Sequence, residues 1–295
     1  MPEKGYVMKK LLVSAVLLVA VCTALAFSAC LYPSSLHKID YENMELVFED
    51  DFDTFDTSVW HSEDDGVRRG GYWDINQVKA EDGNLVITTE YKEDGTFGAG
   101  WYTGSVYTRD TYALQAKDGA AYYAEVRCKL PAGQGHWGAF WLSSPDMKAG
   151  GNGTEIDVVE SPYFDDPKAP SWRKNTAFHT IHFGGYGDKH ESEQSGYYSV
   201  GNDIYENFNT FGVYWDENGY EFYVNGERTW KTSFCPTTAM QYLWLSVEIS
   251  GEMTSADPAN PDNVYTWGGE ITSNPEGQNF VSEFVIDYVK CYKVK

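Results

Sequence analysis

Cysteine is scarce in this chain of 295 residues: of five in all, Cys22 and Cys30 fall near the start and Cys128, Cys235 and Cys291 lie beyond. Three cysteines close at most one disulfide, which excludes a cysteine-stapled scaffold, and no Cys/His spacing fits a zinc site. Positive charge is short as well, with 22 Lys and Arg against 44 Asp and Glu and a net charge of −22. Nucleic acid, anionic membrane surfaces and sulfated polymers are therefore not expected as partners, since each would be repelled. Long apolar runs are confined to one place, Leu11 to Tyr32. Pro-rich linkers, repeats and charge blocks are missing from residues 45–295, so one domain is expected there.

The apolar run follows Lys9 and Lys10, and no charge intervenes before Lys38. That is the pattern of an export signal, and residues 1–32 are read as a signal peptide, lipoprotein signal or membrane anchor, with 33–44 as a tether. "FSAC", ending at Cys30, resembles a bacterial lipoprotein box with Phe27 where a branched aliphatic is usual. The protein is thus expected to be secreted or held at the cell surface, to touch membrane through this segment alone, and to be a monomer.

Aromatic residues are plentiful, with 10 Trp and 22 Tyr. More than half belong in a sheet core, and the remainder suit platforms for the apolar faces of sugar rings. The hydrophobic period is two: "GNLVITTEY", "YYAEVRCKL", "QYLWLSVEIS" and "FVIDYVKCYKV" are short strand-like runs separated by turn residues. Asn225-Gly226 between "EFYV" and "RTW" is a hairpin signal, because both central residues of a type I′ turn need positive φ. Strands at this spacing without helices between them indicate an antiparallel sandwich or barrel. In "QYLWLSVEI", Leu243, Leu245, Val247 and Ile249 share one face, and Tyr242, Trp244, Ser246 and Glu248 the other. The second face, too polar for core and too aromatic for idle exposure, reads as the floor of a cleft.

The stretch "GNGTEIDVVESPYF" sets Glu155, Asp157 and Glu160 among Ile156, Val158 and Val159. A helix would scatter these acids; a strand puts Glu155 and Asp157 on one face, but strict alternation would bury Glu160 with the valines. A one-residue β-bulge between Asp157 and Glu160 returns it to the wet face. Two carboxyl groups across a bound sugar are what glycoside hydrolysis needs, about 5–5.5 Å apart in retaining enzymes and about 6.5–9.5 Å in inverting ones. Spacing alone does not choose between them. A third carboxylate between the two would raise at least one pKa toward the range of a general acid. A solvated acidic strand or a calcium loop is the alternative, and alternation with Ile and Val argues against the loop.

"EIDVVE" fits E-[ILV]-D-x-x-E, and with it the sequence resembles the family 16 glycoside hydrolases, the laminarinase and lichenase group. "LVFEDDFDTFDTSVW", "YYAEVRCKLPAGQGHWGAFWL", "HTIHFGGYG", "FNTFGVYWDENGYEFYVNGE" and "YLWLSVEISG" occur in the order found there. The resemblance implies a concanavalin A-like jelly-roll β-sandwich of two antiparallel sheets with a concave cleft, and retaining endo-hydrolysis of a polysaccharide. It assigns Glu155 as nucleophile, Glu160 as acid/base and Asp157 as the assisting carboxylate. Trp137 matches a substrate-binding tryptophan, although Gly138 stands where Pro is usual. Trp141, His182, Trp101, Trp244 and Ser246 are further candidates for sugar contact, with core packing the alternative for Trp141 and a structural histidine that for His182. No cofactor is expected for catalysis. A structural calcium away from the cleft would take Asp287 with oxygens near Gly83 and Glu49.

"AGGNGTE" lacks the Trp-Pro pair usual before the catalytic Glu, which weakens strict β-1,3-glucan preference. The −22 charge and the lack of a basic cluster near the motif count against carrageenan- and porphyran-cleaving relatives. A neutral β-1,3- or mixed β-1,3/1,4-glucan leads, with β-galactan an alternative. Transglycosylation on the same site and non-catalytic glycan binding are the competing functions.

Overall fold

The computed structural model describes residues 37–62, 65–133, 135–148, 151–162, 175–200, 203–250 and 281–295. Contacts divide the chain into Met1–His37 and Lys38–Lys295; the second unit is the one described, and the apolar run expected to be an export signal lies outside the described residues.

Its strands in chain order are β1 (Met44–Asp50), β2 (Gly66–Arg68), β3 (Gly71–Trp73), β4 (Val78–Glu81), β5 (Asn84–Gly95), β6 (Gly98–Thr103), β7 (Ser105–Tyr107), β8 (Tyr122–Lys129) and β9 (His136–Ser143). They continue with β10 (Thr154–Pro162), β11 (Thr176–Phe183), β12 (Glu191–Gln194), β13 (Tyr198–Ser199), β14 (Asn209–Asp216), β15 (Gly219–Val224), β16 (Glu227–Thr232), β17 (Tyr242–Ile249) and β18 (Ser282–Val294). Among the described residues helix is limited to single 3-10 turns at Tyr41–Asn43 and Ile75–Gln77.

Two sheets form the expected sandwich. The larger runs β16-β15-β14-β8-β18-β5-β6-β3-β2, with β1 on β18 and β4 on β5; the smaller runs β12-β11-β10-β9-β17-β7, with β13 on β11. Pairing is antiparallel throughout except between β3 and β6, where Tyr72 pairs Tyr102 in parallel. Alternation explains the core between the sheets. Phe140, Leu142, Ile156, Ile181, Leu243, Leu245 and Val247 point inward from the smaller sheet against Ile87, Val126, Phe211, Val213, Phe284 and Ile286 of the larger. Each such side chain contributes about 1.5–3 kcal/mol on leaving water. The opposite face of β17 carries Tyr242 and Trp244 into a separate aromatic cluster with Trp73, Tyr107, Ala139 and Trp141, so the division of "QYLWLSVEI" into core and cleft faces holds.

The turn at Asn225-Gly226 has φ of 50° and 77°, as a type I′ hairpin requires, and joins β15 to β16 with Val224 opposite Glu227. The bulge is present too. Asp157 and Val159 are separated by Val158, yet their β9 partners Trp141 and Phe140 are consecutive. Against β11, Asp157 pairs Thr180 and Glu160 pairs Phe178. One extra residue therefore sits in β10, and Val158 and Val159 both turn fully into the core. Residues 38–43, expected as part of a tether, are instead tied to the sandwich. Ile39 N–H donates to Gly226 O at 3.0 Å, and the Tyr41 hydroxyl donates to Glu125 at 2.6 Å.

Candidate active site

β10 lies between β9 and β11, so its acids have fixed cross-strand neighbours. Glu155 is opposite Ser143 and His182, Asp157 opposite Trp141 and Thr180, and Glu160 opposite Ala139 and Phe178. All three line one cleft of about 560 Å³, together with Trp137, Trp141, His182, Ser246 and Glu248. Each acid is less than a tenth exposed, so each must be paired, protonated or used.

Their surroundings separate them. Burial raises the Glu155 pKa, but His182 and a hydrogen bond from the Tyr186 hydroxyl pull it back. Burial and the charge of Glu155 push Asp157 well above the usual carboxylate range, with a hydrogen bond to Glu160 opposing. Burial, Asp157 and Glu155 together push Glu160 well up, and the Trp137 indole N–H donates to its Oε1 at 2.9 Å. All three carboxyl pKa values are raised, and Glu155 is the one whose rise is opposed by both a histidine and a tyrosine hydroxyl. His182 Nε2 stands 3.2 Å from Asp157 Oδ2 and 3.9 Å from Glu155 Oε1. Atoms of Glu155, Asp157 and His182 lie within 4.8 Å of one another, close enough to hold a cation, but burial within the tryptophan-lined cleft and the raised carboxyl pKa values favour proton chemistry.

Aromatic side chains make the floor. Trp141 and Trp244 stack with centroids 4.2 Å apart and 10° between planes. The Trp141 N–H donates to Ser246 Oγ at 3.1 Å, and that of Trp244 to Ser105. Trp141 therefore serves both readings, packed within a cluster yet lining the cleft and its continuation past Tyr242 and Trp244.

Sequence reasoning put Glu248 on the cleft face without a partner, and it missed Arg68, Arg69, Tyr186 and His190. Glu248, on the wet face of β17, accepts from Arg68 and Arg69; burial alone would raise its pKa, and the two guanidinium groups hold it low. Arg68 lies 4.5 Å over the Trp73 ring and Arg69 5.0 Å over Trp137. The "VRRGG" pair in so acidic a chain was the available signal. No basic cluster lies near the motif in sequence, yet Arg69 and Arg68, 86 and 87 positions before Glu155, share its cleft. Tyr186 and His190 come from the loop after "HTIHF". His179 in that motif is fully buried, its Nδ1 2.6 Å from the Val158 carbonyl and its Nε2 2.8 Å from Thr229 Oγ1. It satisfies a carbonyl of the bulge.

Two expectations fail to assemble. Trp101 is not part of the cleft lining; it packs edge-on to Tyr91 and His136 at 5.7 and 5.9 Å. The calcium expectation gains no support: Asp287 is paired with Arg127 and Glu49 with Lys290 at 2.7 Å, so both carboxylates already have cations of the protein's own.

Residues 44–294 match the family model described as Beta-porphyranase A-D, GH16 domain. The chain belongs to glycoside hydrolase family 16. It is similar to Glucan endo-1,3-beta-glucosidase A1 of Niallia circulans, 26% identical over 288 residues, covering 85% of this chain and 38% of that protein. It is also similar to Endo-1,3-1,4-beta-glycanase ExoK of Rhizobium meliloti (strain 1021), 30% identical over 189 residues, 61% of this chain and 59% of the other. The chain thus spans under two thirds of either relative. The fold of this family 16 member superposes on the endo-beta-1,3-glucanase of Pyrococcus furiosus with a TM-score of 0.66 at 21% identity, covering 87% of this chain and 97% of that one.

Proposed function

We propose that the protein is a retaining endo-hydrolase of a β-linked polysaccharide. The observation that carries this is the bulged strand β10, which sets Glu155, Asp157 and Glu160 in one aromatic-floored cleft with unlike surroundings. Glu155 attacks the anomeric carbon as Glu160 gives its proton to the departing glycosidic oxygen, leaving a glycosyl ester on Glu155. Water, deprotonated by Glu160, then displaces Glu155 and the sugar leaves with retained configuration. Asp157, between the two, keeps Glu160 protonated until the leaving oxygen needs it. Trp137 holds Glu160 in direction.

A β-1,3- or mixed β-1,3/1,4-glucan is the first substrate, supported by the named activities of the two relatives and by the stacked tryptophans, which suit uncharged rings. A β-galactan is the second reading, supported by the description of the matching family model and by Arg68 and Arg69 beside the acids. Release of oligosaccharides by residues 38–295 from laminarin, barley mixed-linkage glucan, agarose, porphyran and galactan decides between them. Product from laminarin or barley glucan, reduced at least about 10³-fold by Glu155→Gln, is expected; product from agarose or porphyran alone selects the galactan. Wild-type turnover in Glu155→Gln would remove the nucleophile assignment.

A further inference from the structure

Between β11 and β12 runs Gly184–His190, "GGYGDKH", and this loop brings one side chain to Glu155 and another to His182. The Tyr186 hydroxyl donates to Glu155 Oε2, leaving Oε1 open. His190 Nε2 lies 2.8 Å from His182 Nδ1, and the two rings are 19° from coplanar.

Donor and acceptor roles in this chain can be worked out. For neutral His182 to point an N–H from Nε2 toward Asp157, its Nδ1 must be bare and accept. His190 is the group placed to donate there, from its own Nε2–H. Burial, then the neighbouring His182, lower the His190 pKa, consistent with one donor nitrogen on each ring. Asp157 Oδ2 is buried without an aligned hydrogen bond, so the His182 N–H approaches an atom that still needs a partner; such contacts tighten when substrate binds.

The backbone holds the loop in place independently of these side chains. Gly184 and Gly185 N–H donate to Gly153 O at 3.0 and 3.4 Å, and Tyr186 N–H donates to Met147 O at 2.9 Å. Gly153 is two residues before Glu155, so the loop docks on the segment that leads into the catalytic strand. Both glycines are left-handed, with φ of 87° and 67°, and a Cβ on Gly185 would fall 2.5 Å from Lys148 O. Only glycine fits that approach.

We propose that Gly184–His190 is the positioning loop of this active site: Tyr186 sets the direction of the Glu155 carboxylate and His190 sets the tautomer of His182. The proposal rests on Glu155 being the nucleophile. Other charged groups face Glu155 from Asp157 and Glu160 on its strand, His182 on β11, Glu248 on β17 and Arg68 on β2, and none of them belongs to the loop. Tyr186 is 46% exposed, so Phe is accommodated there.

The test reads the groups directly and needs no substrate. Carbon-13 NMR of the carboxyl groups, with Glu155→Gln for assignment, should show Glu155 titrating about one pH unit higher in Tyr186→Phe, as expected on losing a hydrogen bond to a charged group. Nitrogen-15 NMR should show His182 protonated on Nε2 in the wild type, redistributed toward Nδ1 in His190→Ala, and restored in His190→Gln, whose amide can donate. On whichever polymer the wild type cuts, Tyr186→Phe should lower kcat about tenfold with KM nearly unchanged and move the acid limb of the rate profile upward. An unmoved Glu155 titration in Tyr186→Phe, or an unmoved His182 tautomer in His190→Ala, overturns the corresponding half. If Glu155→Gln stays active while both NMR changes occur, the nucleophile assignment fails and the positioning contacts remain.

Discussion

Glu155, Asp157 and Glu160 are alike in sequence and in burial, and their neighbours tell them apart. Glu155 has His182 and Tyr186 favouring its charge; Glu160 has two carboxylates opposing its own. His179 acts at the same scale. Enclosed by Val158 O, Thr229 and the Phe222 ring 4.5 Å away, it has its pKa lowered by burial to about 3. A histidine neutral when folded but able to protonate when unfolded takes stability away as pH falls from about 6.5 toward 3, since the unfolded chain then binds the extra proton. His136, lowered to about 4 by burial, acts in the same direction, while the raised carboxyl groups act against it. His179→Gln should therefore lower Tm at pH 7 and flatten the loss between pH 6.5 and 4 relative to the wild type. Parallel Tm curves for the two proteins across that window would mean that His179 is not the titrating group.

At the scale of the element, β10 shows how a single residue sets a site. The partners of Asp157, Val159 and Glu160 on β9 are Trp141, Phe140 and Ala139 without a gap, so deleting Val158 would restore a regular ladder. Glu155, Asp157 and Glu160 would still alternate onto the cleft face. ΔVal158 is thus expected to fold and to keep measurable turnover, with lower stability because His179 loses the bulge carbonyl. Inserting one further valine there instead adds about 3.3 Å between the two glutamates and should abolish turnover. Comparing initial rates of the two variants checks this; a folded but inactive ΔVal158 would show that the bulge does more than set the parity of the strand. The bulge itself was legible in the sequence, because charge cannot be left in a core and only one extra residue reconciles the acids with the valines. His179 was not, since its role depends on a carbonyl that becomes unpaired only once the bulge exists.

For the whole molecule, the net charge of −22 describes solubility and distant partners, not the cleft. Arg68 and Arg69 reach the acids because β2 folds beside the end of β17, where Gly70 N–H donates to Ile249 O at 3.0 Å. On the larger sheet, Arg127 and Lys290 neutralise Asp287 and Glu49. Thermal unfolding should accordingly be the same within about 1 °C in EDTA and in millimolar calcium, since a cation that binds the native state would raise Tm by mass action. A fall in EDTA reversed by calcium would restore the ligand set expected from the sequence. The period of two, the Asn225-Gly226 turn and the spacing of "EIDVVE" by themselves determined an antiparallel sandwich or barrel, the cleft face of β17 and the three acids, because alternation and turn chemistry are local. Tertiary structure alone decided that Trp101 stays away from the cleft, that Glu248 is clamped by two arginines, and that Tyr186 reaches Glu155. Those contacts join residues tens of positions apart, and only the pairing of strands brings their side chains within hydrogen-bonding distance.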